Sequence, residues 1–231
     1  MKPLRDWDDL PDFMRTEEVR PYYNNLKKHE KELYLKRAFD VVAASILLIL
    51  LAPIMLVVAV WIKLDSPGPV FFRQTRITQY GKEFRIFKFR TMVNNADKIG
   101  SAVTVGGDSR ITKLGAIIRK FRIDEFPQLF NVITGDMSFV GTRPEVPKYV
   151  SAYTDEMYAT FLLPAGITSK TSIEYKDESR LISKSENIDK SYVEEILPAK
   201  MVWNLNGIKN FSIRQELSIM ILTVFAVLRK G

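Results

Sequence analysis

The stretch Val41–Ile62, VVAASILLILLAPIMLVVAVWI, carries no charged residue. At about 1.5 Å per helical residue it reaches roughly 33 Å, the thickness of a bilayer's hydrocarbon core. The long charged leader before it and Lys63-Leu64-Asp65 after it do not fit a cleaved signal peptide. Its length without a polar face speaks against a core helix of a soluble domain. Pro53 sits mid-run, where it removes one backbone hydrogen bond and crowds the preceding turn, so a kink or break is expected there. Lys27, Lys28, Lys31, Lys36 and Arg37 precede the run, and Lys63, Arg73, Arg76, Lys82 and Arg85 follow it. With both flanks basic, a segment that enters, bends at Pro53 and returns keeps both on the cytoplasmic side. This re-entrant reading is preferred, and a kinked spanning helix stays open. Asp40 must then be paired or lie at headgroup depth.

The rest of the 231 residues suffices for one catalytic domain. A net charge of +7 favours anionic partners without choosing among them. There is no cysteine, hence neither disulfide nor thiolate metal site, and the single His29 reads as a surface residue. Residues 1–35, interrupted by Pro3, Pro11 and Pro21, read as a surface extension. VFFRQTRI and EFRIFKFRTM flank Tyr80-Gly81 and predict a β-hairpin, with Lys88 and Arg90 on one face opposite Phe87 and Phe89. Residues 93–110, with Gly100, Gly106 and Gly107, read as a mobile loop without a phosphate-binding fingerprint. Leu114, Ile117, Ile118 and Phe121 predict an amphipathic helix over 112–121. Asp124-Glu125 opens another, with Leu129, Phe130 and Ile133 buried and Gly135 as its stop. Further helices are expected over 145–162 and 191–209, the latter kinked at Pro198. The apolar stretch Leu217–Leu228, ending in Arg229-Lys230, is too short to span and is expected to pack or lie at the membrane interface.

The candidate chemistry lies at Asp124 and Glu125. By position alone they are an ordinary helix cap and first-turn residue. Their neighbours Arg119, Lys120, Arg122 and Arg143 are a different matter, because carboxylates, guanidiniums and helix amides together suit Mg²⁺ and a diphosphate.

KRAFD, the proline-interrupted apolar run, SPGPVFFRQTR, FKFRTM, RKFRIDEFPQLFNVITGDMSFVGTRPE and PAGIT follow one another in an order that resembles the monotopic phosphoglycosyl transferases, from about Lys36 to Gly231. These are bacterial sugar transferases that initiate glycan assembly. The resemblance implies an α+β fold: a small helical domain with a β-hairpin, joined to a re-entrant, kinked membrane helix and amphipathic interfacial helices. The expected parts are an N-terminal extension (1–35), the re-entrant helix (36–63) and a catalytic domain (64–231) on the cytoplasmic face of the bacterial inner membrane. It implies a UDP-sugar donor, a polyprenyl (undecaprenyl) phosphate acceptor, Mg²⁺, membrane lipid as surroundings and no nucleic acid; a homo-oligomer is left open. It makes Asp124 the nucleophile that releases UMP and holds a covalent phosphosugar, and Glu125 its partner, both also candidate metal ligands. Such a carboxylate needs no general base, but cations must neutralise the diphosphate. Arg119 and Arg143 are the first candidates by motif; Lys88 and Arg90 would bind phosphate or face anionic lipid. The chain departs from the pattern at Gly141-Thr142-Arg143-Pro144, at Ser169-Lys170 and at Asn204, where many relatives carry GPRP, a Gly-Trp pair and an aspartate. These departures bear on sugar and nucleotide recognition. The competing readings are direct transfer in a ternary complex, and a non-catalytic membrane scaffold binding anionic lipid or nucleic acid.

Overall fold

The computed structural model describes residues 2–96, 104, 107–175 and 187–228. Helix α1 (Arg20–Lys28) leads through His29 into α2 (Glu30–Asp65), which contains the apolar run. Leu33, Lys36, Asp40, Ala44, Met55, Val58 and Ile62 are buried, and Leu48 and Leu51 pack between them. Every step in that series is three or four residues, so one stripe of α2 docks on the rest of the protein along nearly its whole length. The other faces stay apolar and open, with Ile49 75%, Leu56 67% and Leu64 80% exposed. A helix of a soluble core would have buried them. The helix does not break at Pro53: it is helical on both sides, and the proline lies on the exposed side. The docked stripe holds the two halves to one body.

Both ends of α2 are tied down by polar groups. At one end Lys36 donates to the Val140 carbonyl (2.9 Å) and pairs with Glu216, while Asp40 accepts from the Phe139 amide (3.3 Å). Arg37 donates to the carbonyls of Val132 (2.6 Å) and Ile133 (2.9 Å), where a helix end presents unpaired acceptors and partial negative charge. The charge at Asp40 is thus met inside the protein. At the other end Arg90 is buried and donates to the carbonyls of Ile62 (3.3 Å), Ser66 (2.7 Å) and Pro67 (2.8 Å).

The predicted hairpin is present: β1 (Phe71–Ile77) pairs antiparallel with β2 (Glu83–Phe89), Phe71 opposite Phe89 and Ile77 opposite Glu83. Tyr80 and Gly81 supply the positive φ of its turn (60° and 72°). α3 (Lys113–Lys120) begins at Thr112, whose hydroxyl accepts from the Gly115 amide (2.9 Å). α4 (Gln128–Thr134) stops at Gly135, with φ of 90°. Leu129 is buried in α4, but Phe130 is exposed and Ile133 only half-buried, because α4 turns its other side to α2 and β3. Then come β3 (Met137–Val140), α5 (Pro147–Val150), β4 (Ala165–Thr168), α6 (Lys170–Glu174), α7 (Ile188–Ser191), α8 (Leu197–Lys209) and α9 (Ile213–Leu228). β3 and β4 pair in parallel, so among the described residues the fold mixes helices with two small sheets.

Three expectations are corrected. The helix expected over 145–162 is only α5 and a 3₁₀ segment Glu156–Leu162, separated where Tyr153 turns into the core. The helix expected over 191–209 is present but starts earlier, at Ile188, and is irregular: α7 runs through a π turn (Tyr192–Ile196) into α8, and that turn immediately precedes Pro198. Residues 1–35 are no surface extension: Leu4, Met14, Val19 and Leu26 are fully buried against Tyr153, Phe161, Leu162 and Met201. Gly100 and Gly106 of the expected loop, and Arg229-Lys230, lie outside the described residues.

Candidate active site

α3 ends at Phe121, and Arg122 then adopts a left-handed conformation (φ 57°) that is uncommon for a residue with a side chain. That turn redirects the chain into a short 3₁₀ segment, Ile123–Glu125, well before α4 begins at Gln128. Asp124 and Glu125 therefore do not cap α4, and neither makes a capping hydrogen bond. Both are buried, 8% and 9% exposed, which an ordinary surface cap would not be.

Three cations meet Glu125. Its Oε1 lies 2.9 Å from Arg143, 3.1 Å from Lys88 and 3.3 Å from Arg122. Burial pushes its carboxyl up, but Lys88, Arg143 and Arg122 together outweigh burial and hold it well below the usual carboxylate range. Asp124 differs: its nearest cation is Lys88, at 3.8 Å. Burial pushes its carboxyl up, and Glu125 adds to this, against the opposing pull of Lys88, Arg119 and Arg122. Burial also lowers the Lys88 ammonium, a shift that Glu125 and Asp124 oppose. Thus one carboxylate is fixed by cations while its neighbour stays more basic.

The residues expected at this site are placed as follows. Lys88 and Arg143 touch the acidic pair, and Arg119 lines the same cleft, half-buried, adding positive charge near Asp124. Arg90 also borders the cleft, but its guanidinium is taken up by carbonyls at the end of α2. Sequence reasoning missed Arg76, which donates to the Pro144 carbonyl (3.0 Å) while the neighbouring Ile77 amide donates to the Glu145 carbonyl (3.0 Å). β1 so holds the loop that presents Arg143. From the far side Tyr192 donates to Glu145, with Lys200 at 2.8 Å from the Tyr192 hydroxyl and 3.4 Å from Glu145. The only sequence signal for this was the Glu145 that follows Thr142-Arg143-Pro144; its partners lie about fifty residues further on.

The cleft encloses about 710 Å³, in the range of small-molecule sites. Its wall is basic near Asp124, and turns to uncharged polar groups at Ser169, Thr171 and Asn204. Asn204 accepts from the Thr171 hydroxyl (2.7 Å), so this part of the wall holds a neutral amide. No cluster of three or more metal-ligating side chains occurs among the described residues. Mg²⁺, however, is commonly bound by one or two carboxylates with substrate phosphate and water completing the shell. The pair fits that donor set, since the hydrogen bonds from Lys88, Arg122 and Arg143 are received at Oε1 of Glu125, and Asp124 lies 3.8 Å from Lys88, beyond hydrogen-bond distance.

The family profile described as "Bacterial sugar transferase" matches residues 31–230. A UDP-N-acetylgalactosamine-undecaprenyl-phosphate N-acetylgalactosaminephosphotransferase of Aeromonas hydrophila is 48% identical over 124 residues, 54% of this chain and 29% of that protein. Two proteins named UDP-glucose:undecaprenyl-phosphate glucose-1-phosphate transferase are also similar. The one from Caulobacter vibrioides is 38% identical over 84% of this chain and 69% of its own length. The one from Escherichia coli is 36% identical over 83% of this chain and 39% of its own. The chain thus spans well under half of two of these three relatives.

Proposed function

Because the chain belongs to the bacterial sugar transferase family, we propose that it transfers a sugar 1-phosphate from a UDP-sugar to undecaprenyl phosphate, releasing UMP through an aspartyl-phosphosugar intermediate. The observation that carries this reading is the asymmetry of the buried pair: Glu125 is held by three cations while Asp124 is left more basic beside them. In the first step an Asp124 oxygen bonds to the sugar-bearing phosphorus, and the bond from that phosphorus to the bridging oxygen breaks; the oxygen and its electrons leave with UMP. In the second, a phosphate oxygen of the acceptor bonds to the same phosphorus and the bond to Asp124 breaks. This yields a polyprenyl diphosphate sugar and restores the carboxylate. Arg119, Lys88 and Arg143 line the path of the diphosphate, where fixed positive charge stabilises the transition state. Glu125 keeps Lys88, Arg122 and Arg143 in place. Asp124 and Glu125 would hold Mg²⁺, which would supply further neutralisation of the diphosphate.

A monotopic placement, with unbroken α2 lying in one leaflet in place of the expected bend at Pro53, is part of the proposal. About 39 Å of helix separates Lys36 from Ile62 at 1.5 Å per residue, and both ends are hydrogen-bonded to one protein body. An α2 crossing the bilayer would draw the hairpin and α4 into lipid with it. Shallow insertion, with the open apolar faces in the inner leaflet and the cleft in the cytoplasm, avoids that cost. A non-catalytic scaffold gives no reason for burying two carboxylates among cations.

The test is UMP release and lipid-linked product formation by the detergent-solubilised chain with undecaprenyl phosphate and a panel of UDP-sugars. No release with any of them would refute the reading. The raised Asp124 carboxyl also sets the pH response: protonation removes the nucleophile, so the rate falls as pH drops through a value above the ordinary aspartate pKa of about 3.9. Lys88→Met, which removes the nearest cation, is expected to move that acid limb higher still, read from UMP release against pH. A limb at or below the ordinary value would contradict the burial argument.

A further inference from the structure

One part of the cleft wall has no task in the donor half of this chemistry. Arg73 and Arg85 lie on β1 and β2, on the hairpin face of Phe87 and opposite Lys88, and both border the cleft that contains Asp124. The Arg73 guanidinium sits 3.4 Å from the centroid of Phe87, and its Nη2 donates to the Arg85 carbonyl (3.1 Å). Its Nε is buried without a hydrogen-bond partner. Among the described residues no carboxylate lies within ion-pair distance of it, in contrast to Lys88 and Arg143. A partly desolvated cation without an anion is costly unless a ligand supplies one.

The surroundings indicate what kind of anion. Phe71 lies 6.0 Å from Phe87 and stacks on Phe89 at 5.5 Å, and Phe130 lies 5.7 Å from Phe87. Phe71 and Phe130 are each 37% exposed. Phe89 packs against Met55, Val58 and Ile62 of α2, so the aromatic patch continues onto the long apolar helix. The base of a nucleotide sugar can stack on one such ring, but it has no hydrocarbon to follow the patch onto α2. An amphiphile with a phosphate head and a hydrocarbon tail satisfies both halves: head on the guanidiniums, tail over the rings toward the open faces of α2.

We propose that Arg73 and Arg85, with Phe71, Phe87 and Phe130, form the docking site for the phosphate and first isoprene units of the polyprenyl phosphate acceptor. The proposal rests on the function given above and assigns its second substrate a place. It gives the acceptor a route to the phosphosugar held on Asp124 after UMP has left, from the side of the cleft that adjoins α2.

The two half-reactions separate the possibilities. UMP release without acceptor reports the donor step, and the KM for undecaprenyl phosphate reports the acceptor site. For Arg73→Gln the expected result is an acceptor KM raised about tenfold to a hundredfold, the worth of one charge-assisted hydrogen bond, with the loss falling on transfer rather than on UMP release. Arg73→Lys should recover part of it. Phe130→Ser, at an exposed position, should raise KM for undecaprenyl phosphate more than for a short, water-soluble isoprenyl phosphate. An unchanged acceptor KM in both Arg73→Gln and Phe130→Ser overturns the proposal. Equal losses in the two half-reactions do so as well, as does a loss confined to binding of phosphatidylglycerol vesicles, which would mark a phospholipid contact only. If the parent chain releases no UMP under any condition, the function itself fails and this site with it.

Discussion

Asp124→Asn is expected to abolish both UMP release and sugar-phosphate transfer, with a fall of about a thousandfold or more, as when a covalent nucleophile is removed from other enzymes. The substitution keeps the shape of the side chain and one carbonyl oxygen, but an amide does not form the phosphoryl bond. The protein should not unfold in consequence. Burial disfavours the Asp124 charge in the native state, so a neutral side chain of the same size relieves that cost. Thermal unfolding at the same or a higher temperature than the parent, together with lost turnover, would separate a chemical role from a structural one. Residual activity above a tenth of the parent would be incompatible with Asp124 as nucleophile.

Leu26→Ala is expected to destabilise the protein by about 2–5 kcal/mol, the range for truncating a fully buried leucine. Leu26 has 0% exposure and belongs to the cluster that includes Tyr153, Phe161, Leu162 and Phe211. Denaturant unfolding of the detergent-solubilised chain measures the loss; a change below about 0.5 kcal/mol, as for an ordinary surface site, would return the first residues to the status of an appendage. These residues also reach the hairpin: Gln79 donates to the Pro3 carbonyl (2.8 Å), the Arg5 amide donates to the Tyr80 hydroxyl (2.9 Å), and Phe13 fills the space beside Gly81. The hairpin carries Lys88, so damage to the N-terminal packing is expected to weaken the site as well as the fold.

How much of this was legible in the sequence depended on how local the determining contacts are. The hairpin announced itself because its pairing lies across a single turn, and α3 because its apolar spacing, Leu114 to Phe121, is contained in eight residues. The length and hydropathy of α2 were equally plain, but not its continuity through Pro53. That depends on a stripe whose partners lie in the hairpin, α3, α4 and β3. Residues 4–26 looked like an extension because short turns and prolines erase any periodicity. Their burial is dictated by aromatic residues more than a hundred positions away. At the site, the motif located the acidic pair and Arg143. It did not reveal that Arg122 takes a left-handed turn to bury the pair, or that three cations share one oxygen of Glu125. Arg90, which alternation placed beside Lys88, illustrates the limit in the other direction: β2 ends at Phe89, and the next side chain turns onto the end of α2.

The most direct test of the central claim is the intact-protein mass after incubation with a UDP-sugar that supports turnover, in the absence of acceptor. The expected result is a gain of one sugar phosphate, with UMP released in the same amount. The adduct should map to the peptide containing Asp124, disappear on addition of undecaprenyl phosphate, and be absent in Asp124→Asn. Turnover with both substrates, but neither adduct nor UMP release until the acceptor is added, would contradict the covalent mechanism and favour direct transfer.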